Sequence, residues 1–71
     1  MDVTASIRVN GVDRPHRDGT LEDLLRDLGR DPSAPGIAVA VCGEVVPRRE
    51  WGTRRVRPGD DIELVGATQG G

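Results

Sequence analysis

Residues 3–28 read VTASIRVNGVDRPHRDGTLEDLLRDL, and the change of period inside this stretch decides the fold. Val3, Ala5, Ile7 and Val9 alternate with Asp2, Thr4, Ser6 and Arg8, the period of two that a strand with one buried face requires. Asn10 and Gly11 follow, a pair suited to the positive φ angles of a tight type I′ hairpin turn. A second strand returns from Val12 to about Arg17. Pro15 has no N–H to give to a ladder, so this strand belongs at a sheet edge, and Asp18 and Gly19 close it. The period then switches to that of a helix: Leu21, Leu24, Leu25 and Leu28 form one apolar stripe. Thr20 is placed to cap the orphan backbone donors at its start, with Asp23 as the shorter acid of a capping box. Glu22 can pair with Arg26 one turn later, and Gly29 supplies the left-handed residue that ends the helix.

Beyond the helix, Pro32, Pro35 and Gly36 make residues 30–36 a loop. Ile37, Ala38, Val39, Ala40, Val41 and Cys42 are continuously apolar, the pattern expected of a strand covered on both faces, with Cys42 as a packing residue. Gly43 turns the chain into Glu44, Val45 and Val46, and Pro47 ends that pairing. Residues 48–53 are read as an irregular turn around Trp51. Arg57, Pro58, Gly59 and Asp60 form a turn with Pro and Gly at its centre, and residues 61–65 a last strand with Ile62 and Leu64 on one face. The order strand, strand, helix, strand, strand, strand predicts an α+β fold: a mixed sheet of about five strands with one main helix packed on one face. A right-handed crossover then predicts a third strand near the first and parallel to it. This is a β-grasp layout over residues 1–65, with residues 66–71 as a flexible tail: Gly66, Ala67, Thr68, Gln69, Gly70 and Gly71.

Composition narrows the function. A chain of 71 residues holds one domain, which excludes a catalytic cleft between domains. Phe and Tyr are absent and Trp51 is the only aromatic, so the core is aliphatic and no platform exists for stacking nucleic-acid bases. Ten basic residues against twelve acidic ones give a net charge of -2, which does not favour phosphate backbones, and nucleic acid is not an expected partner. Every basic residue is Arg, so the chain has no lysine amine to acylate. A single cysteine allows no internal disulfide and no multi-cysteine metal site, in keeping with a reducing compartment. No apolar run reaches the ~20 residues of a membrane span and the start of the chain lacks the regions of a signal peptide, so no membrane partner is expected and the cytoplasm is the default location.

Individual side chains admit two readings each. Cys42 is either a packing residue or a sulfur-accepting nucleophile, the latter requiring an activation that no adjacent sequence feature guarantees. His16 is either a solvated surface histidine or, if it meets Cys42 in space, half of a catalytic pair. Arg48, Arg49, Arg54, Arg55 and Arg57 form a solvated face or a basic patch that docks on an acidic partner. Trp51 plugs the sheet edge first and contacts a partner second. Asp60 and Asp61 hold a turn rather than a metal, because adjacent carboxylates point apart and lack further ligands.

Several fragments coincide: TLEDLL at 20–25, IAVAV at 37–41, GEVVPRREW at 43–51, PGDDIELV at 58–65, and the pair Gly70 and Gly71. Together they closely resemble the ThiS family of sulfur carriers, small ubiquitin-like β-grasp proteins of thiamin biosynthesis. The resemblance implies a protein cosubstrate rather than an enzyme, with no permanently bound cofactor. Its functional group would be the α-carboxylate of Gly71, with Gly70 as companion. A ThiF-like adenylating enzyme, using ATP and magnesium, would convert it to an acyl-adenylate. A cysteine-derived persulfide would then supply sulfur for a thiocarboxylate, and a thiazole synthase of the ThiG type would accept it. Arg48, Trp51, Arg54 and Arg55 are the candidate partner contacts. Carriers for molybdopterin or for a sulfur-containing secondary metabolite share the same tail chemistry, and a ubiquitin-like modifier conjugated through Gly71 is the alternative of another class. The family usually has Asn where this chain has Cys42, which predicts a turn of different type at residues 42–43.

Overall fold

The computed structural model describes residues 5–66, so Asp2, Val3 and Thr4 of the expected first strand lie outside the described residues. β1 (Ser6–Val9) buries Ile7 and Val9 and turns Ser6 and Arg8 outward. Asn10 and Gly11 have φ of 51° and 82°, the positive pair of the type I′ turn, and β2 (Val12–Pro15) returns antiparallel at the sheet edge. His16 N–H donates to the Ala5 carbonyl at 3.0 Å, so the inward N–H groups alternate as Val12, Arg14 and His16. Pro15 therefore falls on an outward position, where the ladder needs no donor.

α1 (Leu21–Asp27) carries the full capping box: Asp23 N–H donates to the Thr20 hydroxyl and Thr20 N–H to the Asp23 carboxylate. The backbone bond from Thr20, reinforced by its hydroxyl, holds the Asp23 carboxyl below its ordinary value. At the other end Gly29 has φ of 79°, Gly29 N–H reaches the Arg26 carbonyl at 3.0 Å and Arg30 N–H the Leu25 carbonyl at 2.8 Å, a Schellman motif. Glu22 and Arg26 pair at 3.6 Å.

β3 (Ile37–Val41), β4 (Glu44–Val45) and β5 (Asp61–Gly66) complete a five-stranded sheet ordered β2-β1-β5-β3-β4. β5 lies between β1, to which it is parallel, and β3, to which it is antiparallel. The expectation that the third strand runs parallel to the first is therefore corrected: β3 is antiparallel to β1, and β5 is the parallel neighbour. The crossover through α1 joins β2 to β3. These two run the same way, and β1 is already antiparallel to β2.

The core is one layer between sheet and helix: Ile7, Val9, Leu21, Leu25, Val39, Val41, Val46, Trp51, Val56, Ile62 and Leu64, with Leu24, Leu28 and Ile37 packed against it. β3 is covered on one face only, which corrects the two-faced expectation. Val39 and Val41 are buried, whereas Ala38 is exposed and Ala40 half-buried. Val65 and Val45, in register with Ala38 and Ala40, are exposed on the same open face. Cys42 lies in the β3–β4 turn and is exposed, so it is not a packing residue. That turn has a positive pair like the one at Asn10 and Gly11, with φ of 51° at Cys42 and 86° at Gly43, so Cys42 adopts the left-handed backbone expected of Asn. A two-residue link between paired strands admits little else. Residues 48–50, expected to be irregular, form a single 3-10 turn (Arg48–Glu50).

Candidate functional site

The residues expected to do chemistry, Gly70 and Gly71, lie with Ala67, Thr68 and Gln69 outside the described residues. What the structure shows is the platform from which they depart. The last strand runs one residue beyond its expected end, for Gly66 is paired in register with Ile37. Ile62 and Leu64 hold β5 in the core, whereas Val65 is 63% exposed on the open face opposite Ala38.

Two side chains outside the expected site flank this strand end. Arg30, whose backbone closes the helix, sends its guanidinium across Gly66: a Cβ on that glycine would stand 3.2 Å from Arg30 Nη1. Glycine at the strand end thus admits a cation beside the departing backbone. On the β1 side, Asn10 Oδ1 accepts the Leu64 N–H at 2.8 Å and Asn10 Nδ2 donates to the Leu64 carbonyl at 3.3 Å. Sequence showed Asn10 only as a turn residue, since a contact 54 positions away leaves no local signal.

The candidate partner contacts separate into different roles. Trp51 is 1% exposed and its indole N–H donates to the Val46 carbonyl at 2.8 Å, which makes it the plug and leaves almost no surface for a partner. Arg48 stacks over the Trp51 ring, 4.6 Å from its centroid, and donates to the carbonyls of Pro32 and Ala34. This Arg closes the 30–36 loop onto the core. Within that loop the Asp31 carboxyl is held below its ordinary value by hydrogen bonds from Ser33, the backbone N–H first. Arg54 is half-buried, and its carbonyl accepts the Leu21 N–H at 3.0 Å; Arg55 is exposed and bridges Thr20. Arg49 and Arg57 are exposed. The basic cluster is thus partly structural.

The remaining candidates are equally placed. His16 is half-buried with its Nε2–H directed to the Val56 carbonyl at 2.9 Å, a tie between β2 and the segment before β5 that corrects the solvated reading. It shares no hydrogen bond with Cys42 among the described residues. Asp60 holds its turn by accepting the Arg57 N–H at 2.9 Å, with Gly59 at φ 87°. No helix among the described residues is long and apolar enough to cross a membrane.

Comparison with known proteins gives a consistent result. The ThiS family matches residues 6–71, a span that includes Gly70 and Gly71. The crystal structure of a thiamine biosynthesis protein (ThiS) from Geobacter metallireducens is 26% identical, with a TM-score of 0.75 over 93% of this chain and 99% of that one. The NMR solution structure of a thiamine biosynthesis protein from the same organism matches equally, at 26% identity and TM-score 0.75, over 93% of this chain and 87% of that one. No curated protein matches the chain.

Proposed function

The chain belongs to the ThiS family, and on that premise we propose that it is a sulfur carrier of thiamin biosynthesis, a protein cosubstrate whose working group is the α-carboxylate of Gly71. The observation that carries the reading is the family match through Gly70 and Gly71 on a described body whose last strand leads directly into them. A free carboxylate resists nucleophiles because its charge repels them and oxide is a poor leaving group. A ThiF-like enzyme using ATP and magnesium joins the carboxylate to AMP and releases pyrophosphate. The terminal sulfur of a cysteine-derived persulfide then displaces AMP to give an acyl disulfide, and a second thiol attacks its S–S bond, leaving as a disulfide with the donor cysteine and releasing a thiocarboxylate for a ThiG-like thiazole synthase.

The body is the handle and the tail carries the chemistry. From Gly66 to Gly71 the chain can reach about 20 Å, long enough to enter a narrow channel in a partner, and the glycines let its backbone approach closely. Incubation with the cognate adenylating enzyme, ATP, magnesium, a persulfide donor and a thiol reductant is expected to replace one oxygen of the intact protein by sulfur. An unchanged mass, with the adenylating enzyme shown to be active on another carrier, overturns the reading.

A further inference from the structure

We propose that Asn10 is a positioning residue for the C-terminal segment: its side-chain amide acts as the last rung of the β1–β5 ladder and sets where the chain leaves the body. The functional half of this inference rests on the sulfur-carrier reading; the structural half does not.

The β1–β5 ladder begins with two backbone rungs, Arg8 N–H to the Asp60 carbonyl and Asn10 N–H to the Ile62 carbonyl, both at 2.9 Å. At Asn10 the backbone takes φ of 51° and turns away into β2, so β1 has no peptide group to offer Leu64. The Asn10 side chain supplies one. A primary amide has the donor and acceptor of a peptide, and here the acceptor takes the Leu64 N–H while the donor serves the Leu64 carbonyl. The β1-facing groups of β5 are thus satisfied at Leu64, two residues short of Gly66, while β3 pairs the other edge through Gly66 itself. Without the amide, the last residues of β5 are held from one side only, and the base of the tail is free to fray back towards Leu64.

The turn and the rung make different demands on position 10. Positive φ is met by Gly and is tolerated by Asp, but only an amide both donates and accepts. Asp directs two acceptors at a carbonyl, and Gly presents nothing. Asn10→Gly therefore keeps the turn and removes both bonds, whereas Asn10→Asp keeps an acceptor for the Leu64 N–H and loses the bond to the Leu64 carbonyl. Because Asn10 acts through its bonds to Leu64, a misplaced tail base raises KM for the adenylating enzyme and leaves kcat unchanged.

Amide hydrogen exchange on the intact protein tests the rung. In Asn10→Gly the Leu64 N–H is expected to exchange about tenfold faster than in the native chain, with Leu25 in the helix as the reference for global stability. Steady-state adenylation of the same variant is expected to show a several-fold rise in KM at constant kcat. Unchanged Leu64 exchange in Asn10→Gly overturns the rung. Faster exchange with native KM in Asn10→Gly overturns the positioning role. If the native chain takes no sulfur, the carrier reading and the positioning role fall together, while the exchange result still decides the rung.

Discussion

The two tight turns of this protein share one backbone and differ in what their first residue does. Asn10 and Cys42 both have φ of 51°, each is followed by a glycine with φ above 80°, and each gives its N–H to a carbonyl of β5, Ile62 and Asp61 respectively. The Asn10 side chain continues into the sheet and pairs with Leu64, whereas the Cys42 side chain is exposed at a hairpin tip. Equal backbone geometry thus arises from two causes. At residues 10–11 residue preference and tertiary bonding act together. At residues 42–43 the short link and Gly43 impose the turn on a residue that does not favour it.

Asn10→Ala separates the two turns most strongly. It places a Cβ residue with no local side-chain bond at positive φ and leaves the Leu64 groups unpaired, a loss of about 2–3 kcal/mol, or roughly 10 °C or more in Tm for a domain of this size. Gly43→Ala is milder. No atom lies within 4 Å of the added Cβ, so the cost is conformational only, about 1 kcal/mol by chemical denaturation. Cys42→Asn goes the other way and is expected to stabilise by about 0.5 kcal/mol, because it removes no buried contact and suits the left-handed backbone. A destabilised C42N would mean that the thiol makes a contact the comparison denies it.

Acid provides the finest control, since neither Asn10 nor its ladder partners titrate in that range. Asp23 has a folded pKa below its ordinary 3.8, so its contribution through the capping box is complete above that value and is lost as pH falls through the lowered folded one. The native chain should lose stability there, and Asp23→Asn should flatten that loss. The difference in Tm between the native chain and Asn10→Ala should stay constant through that same loss, from about pH 5 to about pH 3.

Most of the first half was legible because its determinants are local. Alternation around Ile7 and Val9, the Asn10–Gly11 pair, Thr20 with Asp23, and Gly29 each declare their element within a few residues. The direction of β3 was not, because it depends on which strand the crossover leaves, and strand order is a property of the assembled sheet. The open face of β3 was hidden for a related reason: Ala38 and Ala40 read as apolar whether or not anything covers them. His16 with Val56, Arg48 with Pro32 and Ala34, and Asn10 with Leu64 join distant positions and have no sequence signature. The candidate site shows the reverse balance. Gly70 and Gly71 were read from sequence and from the family match, while the structure contributes the strand end that bears them and the two side chains, Arg30 and Asn10, beside it.

The central claim is that sulfur is carried on the carboxylate of Gly71. Fragment mass spectrometry after incubation with the adenylating enzyme, ATP, magnesium, a persulfide donor and a thiol reductant tests it directly, on the native chain and on one lengthened by a single alanine after Gly71. The account predicts sulfur in the C-terminal fragment at Gly71 of the native chain and none in the lengthened one, with both folded. Sulfur on Cys42 alone, or on an untrimmed lengthened chain, would contradict it.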